Sequence, residues 1–173
     1  GFFEVKLNYL KFNEAFQIAK RVNKEISNNE LKKLTKFKNI VSKPIYENNY
    51  ITISTGGFSQ PILWKKQNWS ILVKLLIKNF GYKIIVLGTH KDIEVSHYIT
   101  KQNKKYLISL CGKTDLYQLI NIIKFSKIHI TNDNGSMHIA SLFLKKTICL
   151  FNNHDPIGKW YPVNKNSIVI GPK

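Results

Sequence analysis

Apolar residues gather in short, nearly unbroken runs along most of this chain. "YITIS" (50–54), "YKIIVLG" (82–88), "YLISLCG" (106–112), "KIHITN" (127–132), "TICLF" (147–151) and "NSIVIG" (166–171) have strand length and are rich in β-branched residues. Between them, apolar positions recur at helical spacing. "NWSILVKLLIKNFG" (68–81) predicts a helix with an Asn cap and a Gly stop, "KDIEVSHYITKQ" (91–102) a second, and "TDLYQLINIIKFS" (114–126) a third, capped by Thr114 or Asp115. "SMHIASLFLK" (136–145) predicts a shorter one. Strands apolar on both faces that alternate with helices build βαβ units, so the expected class is α/β: a mostly parallel sheet between two helical layers. Before residue 50, Phe12, Ala15, Phe16, Ala19, Val22 and Ile26 predict helix within 12–40, and "SKPIYENN" (42–49) reads as a linker. The expected division is a helical segment and linker over 1–49 and one sheet domain over 50–173.

A parallel sheet binds its ligands at the carboxyl ends of its strands. Each polar cluster of chemical interest follows a predicted strand: "STGGFSQ", "GTHKD", "CGKTD", "NDNGS" and "NNHDPIGKW". Thr55-Gly56-Gly57 leaves room for a backbone to close on an anion, with hydroxyls from Ser54, Thr55 and Ser59. It is neither a Walker A loop nor a GxGxxG fingerprint, and an ordinary turn would also account for it. In "NDNGSMHIA" a turn feeds a helix whose first N–H groups can receive a phosphate. Gly135 allows close approach, and Asn134 or Ser136 can cap the helix or bond a ligand. Asp133 suits sugar hydroxyls better than phosphate, though it could instead cap the helix. His138 could face a ligand or sit satisfied in the core.

Composition narrows the choices. The net charge of +17 comes from 27 basic residues, of which only Arg21 is an arginine. Recognition of phosphate or base edges favours arginine forks, so lysines spread along helices read as solvation, with a general attraction for anions. A nucleic-acid module is disfavoured, for the chain lacks a helix-turn-helix signature and zinc-finger spacing. The 5 histidines and 2 cysteines show no metal-ligand spacing, so no metal and no cofactor are expected. Cys111 and Cys149 lie inside apolar runs and read as buried free thiols of a reducing compartment. No apolar run reaches membrane-spanning length. Met137 is the only methionine, so a piece of a longer protein is expected.

The stretch "ITNDNGSMHIASLFLKKTICLFNNHDPIGKWYP" resembles the signature of glycosyltransferase family 9, the bacterial lipopolysaccharide heptosyltransferases and their relatives. Asp133, Gly135, Met137, His138 and Ala140 match its Asp-Thr-Gly-Pro-x-His-x-Ala-like turn. Phe151, Asp155, Pro156, Trp160 and Pro162 match its Phe-Gly-x-x-x-Pro stretch. "GKTDLYQLINIIKFS" matches its Gly-x-Thr-Ser-Leu-x-Glu-Leu segment, and the similarity covers about residues 50 to 170.

The resemblance implies a Rossmann-like half of a GT-B transferase: the C-terminal, donor-binding half, with the active site in the cleft toward an N-terminal acceptor domain. It implies inverting, metal-independent transfer from a nucleotide-diphosphate sugar, ADP-heptose or similar, to a lipopolysaccharide core or other surface glycan. Thr55, Gly56 and Gly57, with Asn134, Gly135 and Ser136, would hold the diphosphate. Asp133 would face the sugar, with Met137 and His138 beside it. Asp92 or Glu94 would reach the ribose, and the segment around Leu110 and Lys113 would border the base. The catalytic base would come from the other half, leaving this chain inactive alone. The implied location is cytoplasmic, with peripheral contact at the anionic inner membrane face. One departure stands out. Aligning Trp64 with the family's Lys-x-Trp-Pro element puts Ile62 at the lysine position, with Lys65 and Lys66 just beyond. A neighbouring lysine substitutes, diphosphate binding weakens, or the donor differs. A related nucleotide-sugar epimerase is the alternative within this architecture, and "HDPIGKWYP" disfavours it.

Overall fold

The computed structural model describes residues 2–5, 43–47, 49–57, 63–101, 103–152, 158–162 and 164–172. The helices expected over 12–40 lie outside them. The described strands are β1 (Phe2–Val5), β2 (Tyr50–Ser54), β3 (Lys83–Leu87), β4 (Leu107–Ser109), β5 (His129–Asn132), β6 (Thr147–Leu150) and β7 (Ser167–Pro172). The helices between them are α1 (Lys66–Phe80), α2 (Ile93–Thr100), α3 (Leu116–Phe125) and α4 (Gly135–Leu142). They form one sheet in the order β1-β7-β6-β5-β2-β3-β4. β2 to β7 run parallel, and β1 pairs antiparallel with β7, Phe2 opposite Pro172 and Val5 opposite Val169. Residues 2–5, expected within a helical segment, therefore extend the sheet. Their pairing partner lies at the far end of the sequence.

Alternation of side chains across the strands divides the core in two. Ile51, Ile53, Ile84 and Val86 turn to the face covered by Trp69 and Val73 of α1 and Ile99 of α2. Tyr50, Ile85 and Leu87 turn to the opposite face, under Ile122 and Ile123 of α3 and Ala140 of α4. β3 is apolar at every inner position because both of its faces are covered. Toward β6 and β7, Met137, Cys149, Tyr161 and Val169 close a third cluster.

Local chemistry sets the helix ends. α1 opens at Lys65 without a side-chain cap, so Asn68 lies inside the first turn and not at the predicted cap; Gly81 stops the helix at φ 65°. For α3 the cap is Asp115, whose carboxylate accepts from Gln118 N while the Gln118 side chain accepts from Asp115 N, a reciprocal capping box. The predicted linker is fastened where it is described: Asn121 donates to Lys43 O at 2.7 Å and accepts from Ile45 N at 3.0 Å.

Candidate functional site

Counted from β2, the parallel strands stand in the order 3-2-1-4-5-6, the doubly wound arrangement whose switch point lies between the first and fourth strands. Those strands are β2 and β5. Their connections leave in opposite directions, α1 to one face and α4 to the other, the position where a doubly wound sheet places its ligand crevice, here at Ser54–Gly57 and Asn132–Gly135.

Two asparagines tie its walls together. Asn132 Nδ2 donates to Thr55 O at 2.6 Å, and Asn134 Nδ2 donates to Gly56 O at 2.7 Å. No described peptide bond is cis, so each N–H points opposite to the carbonyl of its own peptide plane. Drawing the Thr55 and Gly56 carbonyls toward β5 therefore turns the N–H groups of Gly56 and Gly57 away from it. Thr55 is 2% exposed and its Oγ1 has no hydrogen-bond partner. A ligand or water atom would satisfy this hydroxyl, as it would the buried Trp69, Asn103 and Ser167 groups that also lack a partner.

Asn134 also caps α4. Its Oδ1 accepts from Ser136 N at 2.9 Å and from Ser136 Oγ at 2.6 Å. Between the two stands Gly135, with open space where a Cβ would be. Asp133 is half-buried, and its charge, after burial, pushes the Tyr161 phenol and the Cys149 thiol upward. His138 is half-buried, and burial lowers its pKa, favouring the neutral ring. Met137 differs from expectation: its side chain is fully buried among Cys149, Tyr161 and Val169, so it packs the core and does not line the crevice.

The loops after β3 and β4 supply the next wall. Asp92 Oδ2 accepts from Thr89 N at 2.7 Å and Thr89 Oγ1 at 2.9 Å. The same carboxylate lies against two backbones: a Cβ on Gly56 would fall 2.8 Å from its Cγ, and one on Gly88 2.7 Å from its Oδ2. Asp92 is thus brought to the rim of the crevice. Glu94 is not; it is exposed and paired with Lys66 at 2.8 Å, which lowers the carboxyl pKa. Lys65 and Lys113 are exposed, the latter just past Gly112, whose Cα approaches the His90 ring. Among the described residues no group of three or more His, Cys, Asp or Glu could hold a metal ion, and no helix is long and apolar enough to cross a membrane.

His129 escaped the sequence reading. It sits fully buried in β5, with Nδ1 2.9 Å from Thr52 Oγ1 and Nε2 2.9 Å from Ser136 Oγ. Burial, then the Lys145 charge, holds its pKa down at about 3. The available signal was a lone polar ring inside an apolar strand, seven residues before a candidate helix cap.

The family model of glycosyltransferase family 9 (heptosyltransferase) matches residues 5–173. Lipooligosaccharide heptosyltransferase 2 of Haemophilus ducreyi is 30% identical over 113 residues, 62% of this chain and 32% of that protein. The structure of Escherichia coli ADP-heptose lps heptosyltransferase II superposes with a TM-score of 0.66 at 26% identity, covering 83% of this chain and 43% of that one. Escherichia coli heptosyltransferase WaaC with ADP, at 20% identity and a TM-score of 0.63 over 72% of this chain and 38% of that one, speaks for the fold alone. The chain thus spans about a third of the length of the curated relatives it matches. With the strand order and the match in agreement, this chain belongs to glycosyltransferase family 9 (heptosyltransferase).

Proposed function

We propose that this chain forms the donor-binding half of a glycosyltransferase that moves a heptose-like sugar from an ADP-sugar to a lipopolysaccharide-type glycan. The observation that carries the reading is the pair of loops brought together at the switch point. There the buried Thr55 hydroxyl lacks a partner, and the N-terminus of α4 is open at Gly135, where no atom occupies the place of a Cβ. The choice of ADP-heptose follows from the names of the relatives.

In this reading the diphosphate lies over the N-terminus of α4 at Asn134–Ser136, beside the Thr55–Gly57 turn. Backbone N–H groups and the helix dipole stabilise the charge that grows on the diphosphate as the glycosidic bond breaks. Lys65 and Lys113 add positive potential at the mouth. Asp133 accepts from sugar hydroxyls and His138 lines the same edge as a neutral ring. Asp92 lies nearest the ribose, while Lys66 competes for Glu94. Catalysis inverts the anomeric centre without a metal, using a base from the acceptor-side half. The assembled protein works in the cytoplasm, where its lysines draw it to the anionic membrane surface that carries the acceptor.

Calorimetric titration of ADP, UDP and GDP into the chain tests this. ADP should bind saturably, and Thr55→Val should weaken it about tenfold by removing the hydroxyl, a loss the size of one hydrogen bond to a charged group. Absence of binding by every nucleoside diphosphate at millimolar concentration would refute the reading.

A further inference from the structure

We propose that His129 is a positioning residue for the crevice, acting from beneath it through Ser136 to fix the side chain of Asn134. Its effect on a ligand rests on the donor-binding reading above; its effect on Asn134 does not.

Two fixed backbone groups orient the Asn134 amide. Gly56 O can only accept, so the Nδ2 faces it at 2.7 Å; Ser136 N can only donate, so the Oδ1 faces it at 2.9 Å. The Ser136 hydroxyl must then donate to that Oδ1, 2.6 Å away. With its proton so used, Ser136 Oγ accepts from His129, whose Nε2 at 2.9 Å therefore carries the hydrogen. Thr52 Oγ1 has one proton and two acceptors in reach, Nδ1 at 2.9 Å and Ile128 O at 3.3 Å; the bare Nδ1 takes it over the shorter contact. Thr131 Oγ1, 3.3 Å from Ser136 Oγ, donates instead to Asn132 O at 2.8 Å. Every proton runs one way: Thr52 to His129, to Ser136, to Asn134, to Gly56.

The neutral Nε2–H tautomer is the form of the ring that keeps every short contact without a buried charge. A cation would force Thr52 to turn its one proton to Ile128 O at 3.3 Å and would put a charge in a fully buried place. The other tautomer would set a bare nitrogen against a hydroxyl already committed to Asn134. Ser136 is 8% exposed and Thr52 wholly buried, so water cannot easily replace either contact. The ring ties the first parallel strand, β2, to the start of α4 and holds Asn134 against both walls.

Nitrogen-15 NMR of the ligand-free chain should find His129 as the neutral Nε2–H tautomer. His129→Phe should shift and broaden the Asn134 side-chain amide, and His129→Gln, which keeps a donor toward Ser136, should restore it. ADP affinity should fall about tenfold in His129→Phe and recover in part in His129→Gln, compared under conditions where all three are folded. An Nδ1–H tautomer, or an Asn134 amide unmoved by His129→Phe, would overturn the proposal. So would wild-type ADP affinity in that variant. Should the wild-type chain bind no ADP, the donor reading fails, while the tautomer and the Asn134 amide still decide the positioning role.

Discussion

Acid should expose the buried histidine as a drain on stability. His129 titrates near 6.5 in an unfolded chain and is held at about 3 in the fold, chiefly by burial and secondly by Lys145. The folded state resists the proton that the unfolded state accepts. Its contribution is therefore fully present above pH 6.5 and is lost as pH falls toward 3. Between pH 8 and pH 5 the loss is about 2 kcal/mol, a large share of the roughly 5–15 kcal/mol of a typical domain. Carboxylates and His138 also titrate on the way down, so the comparison must be internal. Urea unfolding of wild type and His129→Gln at pH 8, 7, 6 and 5 isolates the term, since the variant keeps every other group. The stability difference between them should move by about 2 kcal/mol toward the variant across that range. Two curves that stay parallel to within about 0.5 kcal/mol would refute a neutral, sealed ring.

Three further outcomes follow from the geometry. Gly56→Ala should destabilise by about 1–3 kcal/mol in chemical denaturation, because the new methyl overlaps the Asp92 carboxylate; in an Asp92→Ala background the cost should largely vanish. Asp115→Ala should cost about 1 kcal/mol by removing the capping box of α3, read from the unfolding midpoint. Cys111 and Cys149 are both buried, with burial raising each thiol's pKa, so an aromatic disulfide reagent should label neither until urea unfolds the chain.

Periodicity alone determined much of this protein. Runs such as "KIIVL", short, β-branched and stopped by glycine, read as strands covered on both faces, and the Thr114-Asp115 pair announced its helix because a cap acts on residues three positions away. The glycine and asparagine corners were visible for the same local reason. What the tertiary structure decided is adjacency. Asn132 meets Thr55 and Asn134 meets Gly56 across 77 and 78 residues, and only the strand order, with β5 beside β2, turns two ordinary-looking loops into one crevice. Residues 2–5 gave too short a pattern to mark an edge strand, since their partner β7 begins at Ser167. Met137 was assigned to the ligand by its place in a motif, whereas packing against Cys149 and Val169 draws its side chain into the core. His129 was hidden for the converse reason: a buried polar ring is tolerable only where distant hydroxyls meet both its nitrogens, and no local pattern records that.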